Sequence, residues 1–85
     1  MSSMKFAKQP AAVEVHFAQD GSVRPRRFTW EQHWLDVSDV GRQWEDETGR
    51  HVLVMVAGRR AFELLLRRDN LCWQIVRAPA GAFLA

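Results

Sequence analysis

The fold is decided by residues 50–77, which read RHVLVMVAGRRAFELLLRRDNLCWQIVR. Apolar segments alternate here with short turns, in the order 50–57, Gly58-Arg59, 61–68, Asp69-Asn70 and 71–77. Glycine, asparagine and aspartate tolerate the positive φ angles that two-residue hairpin turns require. The stretch therefore predicts three antiparallel strands joined by two tight hairpins.

The two turns also predict which side chains face the core. Two-residue turns at these positions place Met55 opposite Phe62 and Leu64 opposite Ile75. One face of the three strands then carries a continuous apolar set: Leu53, Met55, Phe62, Leu64, Leu66, Trp73 and Ile75. A slip of one residue would scatter this set over both faces, so we expect it to form the core.

The opposite face of the same strands is also apolar, which is unusual for a face open to water. Its candidate interface residues are Val52, Val54, Val56, Leu65 and Val76, with Cys72 beside them as an expected buried, inert thiol. Three arrangements would cover this face. They are curling of the sheet into a small barrel, a C-terminal tail folded back with Phe83 and Leu84, and contact with another chain.

Alternating apolar and polar residues from Val13 onward predict a second group of strands nearer the N-terminus. We expect these strands at 13–17, 24–30 and 33–37, joined by tight turns at Asp20-Gly21 and Glu31-Gln32. The turns place Arg27 between Glu14 and Asp36 on the outward face, with Trp34 opposite Thr29 on the same side. An acid–base–acid row of this kind is typical of a sheet face in contact with water.

Residues 38–49 read as an irregular connection, with a short helical turn from Ser38 and with Trp44 closing the end of a barrel. The sequence thus predicts an all-β fold. It would be a single small, strongly bent antiparallel sheet, or an SH3-like barrel or roll, of about six strands with at most one short helical turn. The expected boundaries are a flexible lead-in at 1–11, the β domain at 12–78 and a tail at 79–85.

Composition narrows the class of protein. A chain of 85 residues makes one domain, and its single cysteine cannot form an internal disulfide. The sequence shows no signal peptide and no apolar run long enough to span a bilayer, so we expect a cytoplasmic protein with no membrane partner. Residues 31–47 hold six acids and one arginine, a net charge of −5, so the remainder carries +7 because the total is +2.

The sequence contains no recognisable catalytic constellation. None of the histidines, His16, His33 and His51, has a second ligand at the spacing of a metal site, and we expect all three on the surface or rim. Nucleophile elbows, phosphate-binding glycine loops and paired catalytic carboxylates are also missing. We therefore expect a non-enzyme with no catalytic residue, no cofactor and no metal.

Arginine supplies ten of the twelve basic side chains. In the predicted register, Trp34 is an exposed aromatic on the outward face beside Arg27, and Arg24 and Arg26 belong to the same basic stretch as Arg27. Proteins that bind single-stranded nucleic acid combine such groups, because arginine neutralises phosphate while bases stack on aromatic rings. These four residues are candidate nucleic-acid contacts. The alternative is that arginines at strand ends keep the sheet edges soluble and unpaired.

A particular order of aromatic and neighbouring residues lies within 13–77: Phe28-Thr29-Trp30, Trp34-Leu35-Asp36-Val37, Asp39-Val40, Trp44, Gly58-Arg59, Phe62-Glu63-Leu64 and Trp73. This order resembles a bacterial family of small β domains of unknown function. Some members are encoded near error-prone DNA polymerases, so the resemblance implies a link to DNA repair. It implies no functional residue.

The leading expectation for function is a non-enzymatic module that acts through protein contacts, either with a partner or with a second copy as a homodimer. It rests on the second apolar face together with the lack of catalytic motifs. The alternative is a module that binds single-stranded nucleic acid and serves DNA repair, using the arginines and Trp34.

Overall fold

The computed structural model describes residues 4–79, which form one antiparallel sheet of seven strands. The strands are β1 (Met4–Ala11), β2 (Val13–Phe17), β3 (Val23–Trp30), β4 (His33–Glu45), β5 (Gly49–Val56), β6 (Arg60–Arg67) and β7 (Trp73–Pro79). Their spatial order is β1-β7-β6-β5-β4-β3-β2, and the sheet curls into a half-barrel. The expected all-β fold with one strongly bent antiparallel sheet is confirmed. The strand count is seven.

The curl brings the two edges of the sheet together at a single residue, Ala12. Strands β1 and β2 are consecutive in the chain, yet they lie at opposite ends of the strand order. Ala12 connects them and pairs with Thr29 of β3, whose main-chain N–H donates to the Ala12 oxygen at 3.0 Å. The Ala12 N–H in turn donates to Thr29 Oγ1 at 3.0 Å. The chain therefore holds the sheet curved by linking both edges covalently.

Strand β1 occupies residues that the sequence assigned to a flexible lead-in, so that expectation is wrong from Met4 onward. The strand pairs with β7, and its inward residues Ala7 and Ala11 pack against the core. Alanine gives almost no hydrophobic signal, which explains why pattern reading missed the strand. The expected tail cover by Phe83 and Leu84 lies outside the described residues.

Strand β4 replaces the expected irregular connection, and the helical turn from Ser38 is wrong. The strand pairs with β3 through its first four residues and with β5 from Val37 onward. Its register against β5 shifts between Val37 and Asp39 and again between Val40 and Gln43. Such bulges bend a strand and interrupt the alternation of apolar and polar residues. The sequence therefore shows no clear strand pattern in this part of β4.

The β5–β6 register differs by one residue from the predicted one. Val54 lies opposite Phe62 and Val52 opposite Leu64, because the connecting loop holds three residues, 57–59, instead of two. Both Gly58 and Arg59 adopt positive φ, 81° and 57°. The two faces of β5 are therefore exchanged. The valines point inward, whereas Met55 points outward with 37% of its surface exposed.

The predicted registers around Arg27 and between β6 and β7 are confirmed, whereas the two-residue turn at Asp20-Gly21 is wrong: five residues, 18–22, connect β2 to β3, and the register from Val15 to Phe17 is shifted by one residue. Arg27 lies opposite both Glu14 and Asp36, and Trp34 lies opposite Thr29. Glu31 and Gln32 form the expected two-residue turn, with φ of 51° and 69°. Leu64 pairs with Ile75 as predicted. The connection between β6 and β7 is longer than two residues, but it extends symmetrically about Asp69-Asn70 and so preserves the register.

The core lies inside the curl and is built on aromatic edge-to-face contacts. The Phe62 ring packs against Phe28 and Trp30, at centroid distances of 5.1 and 5.3 Å. Around them lie the other buried members of the cluster: Val52, Val54, Val56, Leu64, Ile75 and Ala78. Edge-to-face pairs add about 0.5–1.5 kcal/mol to the gain from burial, so this trio contributes strongly to the packing of the half-barrel.

Truncating one valine and its outward neighbour tests the observed register. Val54→Ala should lower the free energy of unfolding by about 2 kcal/mol, because it removes two carbons from a packed core. Met55→Ala should lower it by less than about 1 kcal/mol, because that side chain is partly in water. Urea denaturation followed by tryptophan fluorescence measures both. A larger loss for Met55→Ala than for Val54→Ala would contradict the register.

Gly49 opens β5 at a position that accepts no side chain. Its φ is 147°, and a Cβ built there would collide with the main-chain oxygen of Leu66. We expect Gly49→Ala to destabilise the protein by on the order of 3 kcal/mol. Gly21→Ala is the matched control, because Gly21 has a φ of 88° with open space around it. Its cost should be about 1 kcal/mol, from backbone strain alone. Equal melting temperatures for the two variants would contradict this account.

Candidate functional site

A β-bulge shapes the outward surface of β2, β3 and β4. Glu14 lies opposite Arg27 and the next residue, Val15, lies opposite Pro25, so Arg26 is the extra residue on β3. In a regular strand, side chains alternate between the two faces, and Arg27 would point inward if Arg26 pointed outward. The bulge resets the alternation, so that Arg26 and Arg27 share one face.

Three arginines consequently gather on the outside of the sheet. Val23, Pro25 and Phe28 point inward and are buried. Between them, Arg24 and Arg26 are exposed and Arg27 is half-buried. Together with Trp34, these side chains form the surface that we call the arginine face. All four candidate nucleic-acid residues lie on it: Arg24, Arg26, Arg27 and Trp34.

Trp34 supplies the aromatic part of the arginine face. The side chain is 45% exposed, and the Arg27 guanidinium carbon lies 4.4 Å from its ring centroid. The Arg27 Nη2 atom also lies 3.0 Å from Glu14 Oε2, and the two side chains are 42% and 56% exposed. An exposed ion pair contributes only about 0–1 kcal/mol, so an incoming anion can compete with Glu14 for Arg27.

The candidate protein interface is wrong for four of its five residues. Val52, Val54, Val56 and Leu65 are buried within the single chain, and Val76 is half-buried. The three valines face the core because of the one-residue register difference. The predicted second apolar face therefore does not exist as one surface, because its valines line the core whereas Leu65 lies opposite His51 on the outer side of the sheet.

The outer side of β5–β7 carries a charged cluster that sequence reasoning missed. His51 Nδ1 lies 2.7 Å from Glu63 Oε2, and His51 Nε2 lies 2.9 Å from Asp46 Oδ2. Glu63 Oε1 lies 3.5 Å from Arg77 Nε. Both His51 and Glu63 are buried, so the expected position of His51 on the surface or rim is wrong. In the predicted register, His51 and Glu63 would lie on opposite faces, and no pairing would have been visible.

The geometry of His51 limits what this cluster can do chemically. Both ring nitrogens lie within hydrogen-bond distance of a carboxylate oxygen, and Nε2 also lies 3.2 Å from the Thr48 hydroxyl oxygen. Each nitrogen is therefore already engaged by side chains of the same chain. Asp46 and Glu63 also lie on opposite sides of the ring. In residues 4–79, no three histidine, cysteine or carboxylate side chains converge as metal ligands. The cluster instead ties the β4–β5 turn to β6 and β7.

Two further aromatic residues flank this cluster around an open cavity of about 520 Å³. Trp44 stacks on His51 with a centroid distance of 5.0 Å and also lies beneath Arg42. Trp44 therefore lies on the outer surface, and its expected role as a core plug is wrong. Phe6 is exposed and lies beneath Arg77 at 4.8 Å.

Cys72 also differs from its predicted environment. It was expected to be buried on the second apolar face, but it lies in the β6–β7 connection and is exposed. Its main-chain N–H donates to Asn70 Oδ1 at 2.9 Å, which stabilises the end of the turn. The longer connection removes Cys72 from the sheet face that the two-residue turn assigned to it.

No protein-family model, curated protein or solved structure matches this chain. The resemblance to a bacterial family of small β domains therefore stays a prediction, as does the implied link to DNA repair. Among the residues that the structure describes, no helix has the length and apolarity needed to cross a membrane.

The Asp46 carboxylate gives the cluster a pH dependence that can be measured. Hydrogen bonding from the Thr48 hydroxyl is the main cause that holds the pKa of Asp46 well below its usual range, and His51 adds to it. A carboxyl whose pKa is lower in the folded state stabilises the fold above its unfolded pKa of about 3.9 and loses that contribution as the pH falls further. We expect Asp46→Asn to be less stable than the wild type at pH 7.

The same variant should lose less stability than the wild type between about pH 5 and pH 2, because its amide cannot titrate. Thr48→Val should act in the same direction, since it removes the hydroxyl donor and keeps the carboxylate. Chemical denaturation across this pH range measures both effects. Parallel stability–pH curves for Asp46→Asn and the wild type would contradict the assignment.

Proposed function

We propose that this protein binds single-stranded nucleic acid through the arginine face. The observation that carries the proposal is the β-bulge at Arg26, which gathers three arginines on one surface beside the exposed ring of Trp34. A regular strand would have divided these arginines between the core and the solvent. The bulge shifts the β2–β3 register at Arg26, and this shift places all three arginines on the outward face.

The chemistry of the arginine face fits a phosphate backbone carrying unpaired bases. Arginine donates several hydrogen bonds from a planar group, which matches phosphate oxygens well. Arg27 lies over one face of the Trp34 ring, so a base would stack on the exposed remainder of the ring or displace Arg27. Such stacking is worth about 1–3 kcal/mol and is tolerant of base identity. Stacking of this kind needs an unpaired base, so the surface favours single strands over duplexes. Binding of this kind does not depend on sequence.

The leading expectation from the sequence is contact with another protein through the face of β5 that carries the valines. In this fold that face points into the core and is not open to a partner. Val52, Val54 and Val56 would have to leave the core to touch a partner. The arginine face needs no such rearrangement. A role in DNA repair and a location in the cytoplasm belong to the same proposal, because both fit a module that holds single-stranded DNA.

Fluorescence anisotropy with a labelled 12-nucleotide oligo(dT) tests the proposal. Three phosphate contacts predict a salt slope of about −2, so affinity should fall about 20-fold between 50 and 200 mM NaCl. Replacing Arg24, Arg26 and Arg27 together by glutamine should abolish most of this salt dependence along with the affinity. Trp34→Ala should weaken binding about tenfold and leave the salt slope nearly unchanged.

The matched control replaces Arg59 and Arg60 by glutamine, because these arginines lie at the exposed β5–β6 loop and start of β6. That variant removes nearly the same charge and should bind oligo(dT) within about twofold of the wild type. No binding by the wild type at 50 mM NaCl would overturn the proposal. Equal losses for the control and the arginine-face variant would show that net charge alone attracts the oligonucleotide.

A further inference from the structure

A second surface lies at one end of the half-barrel, and none of the four residues of the arginine face lines it. An open groove of about 290 Å³ runs between the end of β2, the start of β5 and the β6–β7 connection. We call it the end groove. Its principal lining residues are Phe17, Arg50, Leu66, Arg67, Arg68 and Leu71.

Two large apolar side chains at the end groove are exposed to solvent. Phe17 is 59% exposed and Leu71 is 73% exposed. They come from different parts of the chain and line the same groove, so they form one apolar surface. Exposed apolar groups that converge on a groove mark a binding surface more often than exposed groups scattered singly.

The backbone at Leu71 holds this side chain outward at a conformational cost. Its φ is 57°, in the left-handed region that leucine rarely adopts. The conformation is fixed by hydrogen bonding, because the Leu71 N–H donates to the Arg67 oxygen at 2.9 Å and the Arg67 N–H donates to the Cys72 oxygen at 2.9 Å. Strain that keeps an apolar side chain in solvent points to a use for that side chain.

Three of the four charged side chains that line the end groove are arginines. Arg50, Arg67 and Arg68 line it, together with one acid, Glu45. Arg67 is paired with Asp69 and Arg50 with Glu45, at 2.8 and 3.3 Å. Arg68 donates to the main-chain oxygen of Asp46 at 3.0 Å, and no carboxylate in residues 4–79 forms an ion pair with it. A ligand in this groove would therefore meet apolar side chains next to an uncompensated guanidinium.

We propose that the end groove binds a short acidic segment of a partner protein. Apolar side chains of that segment contact Phe17 and Leu71, and an adjacent carboxylate pairs with Arg68. A symmetric contact between two copies would bring two Arg68 guanidinium groups, neither of which forms an ion pair within the described residues, into one interface, which opposes self-association here. A nucleic-acid strand could stack on Phe17 alone, because Leu71 has no ring face, and two of the three arginines are already paired with carboxylates. The proposal uses none of the residues of the arginine face.

Selection from random 12-residue peptides displayed on phage tests this proposal. The full chain is the bait, and the Phe17→Ser/Leu71→Ser double variant removes peptides that bind elsewhere. Enriched peptides should combine aspartate or glutamate with neighbouring apolar residues. The most enriched sequence is then synthesised with a fluorescent label, both as selected and with its acids replaced by the corresponding amides.

In anisotropy titrations, Phe17→Ser and Leu71→Ser should each weaken the acidic peptide about tenfold or more, as expected for central apolar anchors. Arg68→Glu should weaken binding of the acidic peptide at least as much. The same variant should bind the amide form of the peptide within about twofold of the wild type, because only a carboxylate is repelled by the reversed charge. Met55→Ser is the control. It removes an exposed apolar side chain outside the groove and should bind like the wild type. Circular dichroism confirms that each variant is folded.

Several results would overturn the proposal. One is the lack of any enrichment over the double variant, and another is equal affinity of the acidic and amide peptides. Sedimentation showing a dimer that Phe17→Ser or Leu71→Ser dissociates would assign the groove to self-association. Loss of oligo(dT) binding in Leu71→Ser would assign it to nucleic acid. The first proposal is tested with variants of the arginine face and the second with variants of the end groove, so each proposal can fail while the other stands.

Discussion

The loop between β5 and β6 holds three residues, and this length decides which side of the sheet each residue of β5 faces. Two residues would turn Leu53 and Met55 towards Phe62 and leave the valines outside. Three residues turn Val52, Val54 and Val56 inward, where they pack with Phe28 and Phe62. The same choice places His51 and Glu63 together on the outer side, so the charged cluster depends on the loop as much as the core does.

Irregularities of the strands shape the rest of the surface. The bulge at Arg26 gathers the arginines beside Trp34, and the register shifts in β4 let one strand pair with β3 and then with β5 as the sheet curves. Ala12 fixes the curvature by joining β1 and β2 at Thr29. A bulge inserts one extra residue into a strand, and in this fold that extra residue changes which side chains share a face.

The sequence alone was sufficient for the fold class and for registers that one apolar face specifies. From Arg27 to Val37, polar and apolar residues alternate clearly, so Arg27 and Trp34 are placed correctly, whereas the bulge at Arg26 leaves no signal in the sequence. On β5, both faces are apolar, and the alternation cannot separate Val54 from Met55. The choice then depended on the loop length, which Gly58 alone does not specify. Strand β1 and the His51 cluster were missed because alanine gives little signal and because His51 and Glu63 meet only in the correct register.

Cross-strand nuclear Overhauser effects between main-chain protons of β5 and β6 test the central claim most directly. The structure predicts contacts that pair Val54 with Phe62 and Val52 with Leu64. Contacts that instead pair Met55 with Phe62 and Leu53 with Leu64 would place the valines outside. That result would contradict both the described core and the pairing of His51 with Glu63. It would also place Val52, Val54 and Val56 on a surface open to a protein partner.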